Sequence, residues 1–594
     1  MKKSELPAWD LSDLYAGLKD KKINEDLEKY KFLNQKLEQE YKGKIARLSS
    51  KNFAEALKVY EDIVVIGHFL GGFGYLNMCT QMDNKDATIF FQNLSEKLTD
   101  YSKCSVFFSL EINQLSDEKI SELLKDEKVA VYKPWLDRLR LFKKYELSED
   151  LEGMLLEKSV TSGSAWVLLY DEYSSELKYI VDGKEYNDSG ISKLTQDKNA
   201  EIRHKAGKEI NRVCKENDNL FTFIYNMVVK DKAIEDEKRG FKTPIASQNL
   251  ANNVEGEVVE SLVASVTANY TNIAHRFYKL KAKWLGVDKL SYWDRNAPLP
   301  FEKDVDYSWD EAVKIVLDAY QSFSPKLYEL AQDFFTKNWI DVPVRNGKRS
   351  GAFAHPVSSH AHPYLFLNFT GKLRDVLTLA HELGHGCHMR LSGKQGELQD
   401  DTPLTLAEVA SVFAESLTFK SLLENIDDDM TKLCLIASKV NDMINTAIRQ
   451  IAFHNFETKV HNERREGEVS SVRLVEIWKE EMKESLGSSV EVGEDSEYIW
   501  SQVSHFYHLP FYVYAYSFAD CVVNSLYSVY RHNKVENFAD KYLHMLSETG
   551  VKKYDELLQP FGLDAKDEKF WNLGLGVISE YIDELERLTK KLGL

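Results

Sequence analysis

Apolar residues recur along most of the chain at intervals of three and four with polar positions between them, the spacing that lines one face of an α-helix. Phe53-Ala54-Glu55-Ala56-Leu57-Lys58-Val59-Tyr60 and Glu257-Val258-Val259-Glu260-Ser261-Leu262-Val263 are typical stretches. Only 12 prolines interrupt 594 residues, so the pattern predicts a predominantly α-helical fold. It changes between Asp341 and Gly371. There Ser350 to His355 and Tyr364 to Phe369 predict short strands, punctuated by Pro356 and Pro363. From Arg374 to Leu391 the helical period returns without a proline and predicts one continuous helix directly after this small sheet.

Length adds that a single core is too small for the chain, which should fold as two or more lobes. Turn-forming residues between Gly183 and Gly190, followed by the charged Gln196-Asp197-Lys198-Asn199, place a boundary near residue 200. This predicts an N-terminal helical domain over 1–200 and a second domain over 201–594. The charge balance is 76 Lys and Arg against 94 Asp and Glu, a net charge of −18. Such a surface repels a phosphate backbone and argues against a nucleic-acid partner. The six cysteines are scattered without paired spacing, which argues for reduced thiols over a disulfide framework. Met1-Lys2-Lys3-Ser4-Glu5-Leu6-Pro7 lacks the apolar stretch of a secretory signal. The most apolar tract, Ile63 to Leu76, falls short of the ~20 residues that span a bilayer. A cytoplasmic protein with no membrane association is expected.

The helix over 374–391 carries His381-Glu382-Leu383-Gly384-His385. Residues four apart differ by about 40° around a helix, so both imidazoles leave one face a turn apart and can bind one zinc ion. Glu382, about 60° from His385 on the adjoining face, suits a general base beside the metal rather than a ligand. A catalytic zinc needs a third protein ligand and an open position. A third histidine ten residues after the first is excluded, since that position is Leu391. His388 shares roughly the same face, yet three ligands from one straight helix give poor tetrahedral geometry, which favours a role for it behind the ligands or in packing. The other candidate is Glu408, in a second helical segment after the turn at Asp400-Asp401-Thr402-Pro403. Glu408 and Glu415 are seven apart on one face of a mostly apolar helix, so one can ligate and the other orient. A pair of exposed helix carboxylates is the competing explanation.

The strings Leu379-Ala380-His381-Glu382-Leu383-Gly384-His385-Gly386-Cys387-His388-Met389 and Leu406-Ala407-Glu408-Val409-Ala410-Ser411 resemble the oligoendopeptidase F branch of the thimet-oligopeptidase-like zinc metallopeptidases. Trp9-Asp10-Leu11-Ser12-Asp13-Leu14, Gly347 to Phe353, and His505-Phe506-Tyr507 with Pro510-Phe511-Tyr512-Val513-Tyr514 extend the resemblance in the same order over nearly the whole chain. It implies one zinc ion on His381, His385 and Glu408, Glu382 as catalytic base, and a mainly helical, two-lobed shell around a deep channel. It also implies 201–594 as the catalytic domain and short oligopeptides as substrates. Cys387 stands where a methionine or similar apolar residue is expected, which suggests sensitivity to oxidation near the metal.

A peptide hydrolase needs a donor for the oxyanion of its tetrahedral intermediate, and a tyrosine hydroxyl or histidine N–H can supply one. Pro510 suits the first turn of a helix, after which Tyr512 and Tyr516 share one face and Tyr514 takes the other. His505 and Tyr512 are the first candidates, His508 and Tyr516 the second, against the alternative of an aromatic core. Within enzymes the rival reading is a peptidyl-dipeptidase or carboxypeptidase, which needs a cation for a free C-terminal carboxylate. From another class, the rival is a peptide-binding protein without turnover.

Overall fold

A computed structural model describes residues 6–159, 161–302 and 305–594; Met1 to Glu5, the charged start of the chain, lie outside them. The fold is predominantly helical, with only small sheets. It divides into two compact units, each gathered from three stretches of sequence. Unit 1 comprises Met1–Lys143, Asp304–Leu422 and Val535–Gly562, and unit 2 comprises Lys144–Lys303, Leu423–Lys534 and Leu563–Leu594. The boundary expected near residue 200 falls inside unit 2, where Ala200 opens the helix Ala200–Glu216. Turn residues mark local punctuation, whereas units follow the apolar faces that pack together, and here those faces come from distant stretches.

In unit 1, α1 (Lys21–Tyr41) packs on α2 (Ser50–Cys79). Leu37, Phe53, Ala56 and Leu57 meet in one apolar cluster, and Leu70, Phe73 and Leu76 in another. The tract read as ending at Leu76 is part of a single helix of 30 residues, long and apolar enough by length and composition to cross a membrane. Its glycines do not break it because they serve close contacts. A Cβ on Gly72 would lie 3.1 Å from the Val357 side chain, and one on Gly74 3.1 Å from Phe91.

The expected strand region is a three-stranded sheet. Strand β1 (Ile340–Asp341) runs parallel to the central β3 (Tyr364–Phe366), and β2 (Phe353–His355) runs antiparallel to its other edge with Ala354 opposite Leu365. All of β3 is buried. The sheet packs on α3 (Leu373–Ser392), the helix anticipated over 374–391. Asp375 fixes its start by accepting the Lys372 and Thr370 backbone N–H groups at 3.0 and 2.8 Å, a carboxylate at the positive end of the helix.

After α3 come the one-turn α4 (Leu404–Ala407) and α5 (Val409–Glu424). The continuous segment expected there is broken at Glu408, which caps the end of α4 at φ −83° and ψ −4°. The Ser411 hydroxyl, within donor distance of both the Glu408 carbonyl (3.1 Å) and its carboxylate (2.7 Å), braces the break.

Unit 2 is built on α6 (Arg449–Glu466), α7 (His505–His508), α8 (Tyr514–Arg531) and α9 (Glu568–Leu592). In α9, Phe570, Trp571, Leu575, Ile578, Ile582, Leu585 and Leu588 are buried at helical spacing. Asp567 caps its start, and Gly593 at φ +71° ends it. Trp478, Trp500 and Trp571 are among the largest fully buried side chains.

Candidate metal centre

Two glycines in the motif explain how the site is assembled. A Cβ on Gly384 would stand 2.8 Å from the Ala410 carbonyl oxygen and 2.8 Å from Ser411 Cα, so α5 crosses α3 in backbone contact there. On the sheet side, a Cβ on Gly386 would meet the Phe334 ring at 2.6 Å and Leu365 at 3.2 Å. Only glycine permits both approaches. The Tyr542 hydroxyl donates to the Val409 carbonyl at 3.0 Å and the Tyr320 hydroxyl to the Ala380 carbonyl at 2.7 Å, tying α5 and α3 to neighbouring helices of unit 1. None of these contacts has a local sequence signal beyond the small residues themselves.

The result is a convergence of three ligand atoms. His381 Nε2 and His385 Nε2 lie 3.3 and 3.4 Å from the same oxygen, Glu408 Oε2, and the three ligand atoms all fall within 4.8 Å of one another. The imidazole rings stand 4.9 Å apart at 82°. Glu415 Oε2 lies 3.5 Å from the other nitrogen of His381, Nδ1. If Nδ1–H faces Glu415, His381 Nε2 presents a bare lone pair toward the Glu408 carboxylate oxygen. A cation, either a proton or a metal ion, relieves that contact of acceptor with acceptor. The electrostatics carry the same sign. Burial alone would lower the His381 pKa, but Glu408 and Glu415 raise it to about 10. Burial pushes the Glu408 carboxyl up, and the two histidines outweigh it and hold the group far below the carboxylate range. Two nitrogens and one oxygen are also a donor set of catalytic metal sites that keep an open position.

Glu382 is buried on the next face of α3 and is not among the converging atoms. Burial raises its pKa; the two histidines and a backbone hydrogen bond at Ala354 of β2 oppose the rise. His388 does not join the cluster. Its Nε2 lies 2.7 Å from the Thr549 hydroxyl, and burial pushes it down to about 3, a neutral imidazole in packing. Cys387 is buried, and burial raises its thiol to about 12. The expected oxidation sensitivity therefore meets a shielded, protonated sulfur.

The remaining candidates lie in unit 2. Three of the four form one cluster. The His505 ring stacks on Tyr512 at 5.6 Å and 10°, His505 Nε2 is 3.1 Å from the Tyr516 hydroxyl, and the Tyr512 and Tyr516 rings meet edge to face at 5.1 Å. His508 is separate, 2.8 Å from Asp171 Oδ1 and exposed. Tyr514 is buried and accepts from Asn252 Nδ2 at 2.8 Å. Pro510 does not open a helix as expected. Phe511 takes φ +63°, which ends the chain's approach after α7 and delays α8 to Tyr514.

The sequence profile of peptidase family M3 matches residues 193–577, and that described as oligopeptidase F matches residues 111–179. The chain belongs to peptidase family M3. It is 26% identical to an oligoendopeptidase F homolog of Borreliella burgdorferi over 92% of each chain. It is 24% identical to oligopeptidase PepF of Bacillus subtilis, covering 98% of this chain and 87% of that protein. A solved chain from Chlamydophila abortus has the same fold, with TM-score 0.86 at 21% identity over 99% of both chains. Oligoendopeptidase-F from Enterococcus faecium does so with TM-score 0.72 at 20% identity, over 96% of this chain and 99% of that one. This M3 peptidase is a metalloendopeptidase, and the resemblance to the oligoendopeptidase F branch holds.

Proposed function

We propose that this M3 peptidase hydrolyses internal bonds of short, unstructured oligopeptides in the cytoplasm, with one zinc ion held by His381, His385 and Glu408. The observation that carries the reading is the meeting of His381 Nε2 and His385 Nε2 at Glu408 Oε2, next in sequence to a buried carboxyl that is not among the converging atoms. When bound there, zinc supplies Lewis acidity, which lowers the pKa of water and polarises a carbonyl oxygen. Glu415, at the Nδ1 of His381, keeps that imidazole in the tautomer whose Nε2 lone pair faces inward. Glu382 takes the proton of the attacking water on its carboxylate and passes it to the leaving amine. Hydroxyl and ring N–H groups of Tyr512 and His505, with Tyr516 in support, donate to the substrate oxyanion. Burial and the neighbouring His508 lower the pKa of His505, leaving it neutral at pH 7 with one N–H to donate. No residue in this scheme forms a covalent acyl-enzyme. The thiols of Cys79, Cys104, Cys214, Cys387 and Cys521, none of them in a disulfide, support a reducing compartment.

The test is Glu382→Gln, which keeps the shape of the side chain and the metal ligands but cannot take a proton. With equal zinc content, kcat on a mixed peptide library should fall at least about 10³-fold. Equal turnover by variant and wild type would remove Glu382 from the mechanism as its general base. Doubly blocked peptides should be cut internally, whereas strict release of C-terminal dipeptides would assign a peptidyl-dipeptidase.

A further inference from the structure

In unit 2, α6 turns three buried side chains onto a single residue of the 505–516 segment. Glu457 Oε1 accepts the backbone N–H of Phe511 at 2.9 Å. His454 and His461, three residues before and four after it, set their rings 6.0 and 4.7 Å from the Phe511 ring. Offsets of three and four put all three on one helix face. Phe511 needs such help, because φ +63° is a conformation that bulky L-residues rarely take and that persists only when surrounding contacts impose it.

The three groups have no part in the chemistry above and are poorly suited to plain packing. Glu457 Oε2, His454 Nδ1 and His461 Nε2 are buried with no hydrogen-bond partner among the described residues. Burial pushes Glu457 up to about 8 and His454 down to about 4. Buried polar groups are costly unless they are satisfied, and among the described residues the hydrogen bond Glu457 makes goes to the strained backbone. The residue that follows is Tyr512, whose ring direction depends on the Phe511 dihedrals and which is stacked on His505.

We propose that Glu457 is a positioning residue: by holding the Phe511 N–H in the left-handed conformation, with His454 and His461 closing on the Phe511 ring, it fixes the direction in which Tyr512, His505 and Tyr516 present their donors. The inference rests on the reading of that cluster as the oxyanion donor.

A double-mutant cycle separates the two. Glu457→Leu removes the acceptor at similar size, and kcat should fall about 100-fold, the scale of a misplaced reacting group, with KM and metal content nearly unchanged. Glu457→Gln retains an amide oxygen for the Phe511 N–H and should recover most of kcat. In a Tyr512→Phe background, Glu457→Leu should cost less than about threefold more, since groups acting through one another are not additive. Losses that multiply would overturn the positioning role while leaving the donor reading intact. A Tyr512→Phe enzyme with unchanged kcat would remove the donor reading, and this inference with it. If Glu457→Leu does not fold, Glu457→Met removes the same acceptor on an unbranched side chain, and the same cycle with Tyr512→Phe applies. A purely structural Glu457 would lower the melting temperature of the fully folded enzyme without lowering its kcat, which also overturns the proposal.

Discussion

The candidate metal cluster of unit 1 and the aromatic cluster of unit 2 are built by opposite means. His381 and His385 are helix-interior residues whose spacing fixes their relative direction, and α5 reaches them because two glycines admit close neighbours. His505, Tyr512 and Tyr516 meet across a helix break, and their geometry depends on Phe511 at φ +63° and on a buried glutamate of another helix. Regular structure places ligands by its own period, whereas a cluster at a break needs support from outside. The first kind of site should tolerate changes around it and fail when a member is lost. The second should fail through its supports as well.

The largest expected effect tests the regular site. Glu408→Ala leaves two imidazoles on one helix without the third ligand, and both metal content after dialysis and turnover should drop to background. Retention of stoichiometric metal would point to another ligand, with His388 excluded by its burial against Thr549. Next comes Tyr512→Phe, which removes one hydroxyl and should lower kcat about 10²- to 10³-fold with the metal in place. Tyr514→Phe, two residues on, removes a buried hydroxyl bonded to Asn252 and should cost about 1 kcal/mol of stability and little kcat. Equal kcat losses in the two variants would deny the cluster its special role. Glu415→Gln should weaken metal binding about 10- to 100-fold, the usual cost of losing the partner that orients a ligating imidazole. Competition with a graded chelator measures it, and an unchanged affinity would make Glu415 a packing residue.

The sequence makes the two sites legible to different depths. Helical period places α3 within one residue of its ends, and ligand spacing singles out His381, His385 and Glu382, because both depend on local rules. Whether Glu408 or His388 converges with the two imidazoles depends on which segment packs on α3, a tertiary fact signalled indirectly by Gly384. In the 505–516 segment the helical wheel correctly separates Tyr512 and Tyr516 from Tyr514, yet it misses the break. The left-handed Phe511 is imposed by Glu457, 54 residues earlier, and no local pattern records such a contact. Unit composition was illegible for the same reason. Each unit gathers three distant stretches, and turn residues near 200 carry no information about which faces meet.

An effect on stability rather than turnover sharpens the comparison through two buried glutamates, one in each unit. Glu397 of unit 1 faces four donors: His68 Nδ1 at 2.6 Å, Ser358 Oγ at 2.8 Å, and the Ser359 backbone N–H and hydroxyl at 2.8 and 2.6 Å. Burial pushes its carboxyl up, and these donors together hold it down to about 2 from an ordinary 4.5. Glu457 of unit 2 has one donor among the described residues, and burial carries it the other way, to about 8. A depressed carboxyl stabilises the fold above its unfolded pKa and loses that contribution as pH falls from 4.5 toward 2. A raised one does the reverse, with a cost that grows as pH climbs from 4.5 toward 8. Glu397→Gln should therefore lose roughly 2–3 kcal/mol of stability at pH 7, and its deficit against wild type should shrink steadily below pH 4.5. Glu457→Gln should gain on wild type across pH 5 to 8. Urea unfolding of the three proteins over this range reads both slopes. Parallel curves would mean that the two carboxyls share one ionisation state, and that the donors around Glu397 do not overcome its burial.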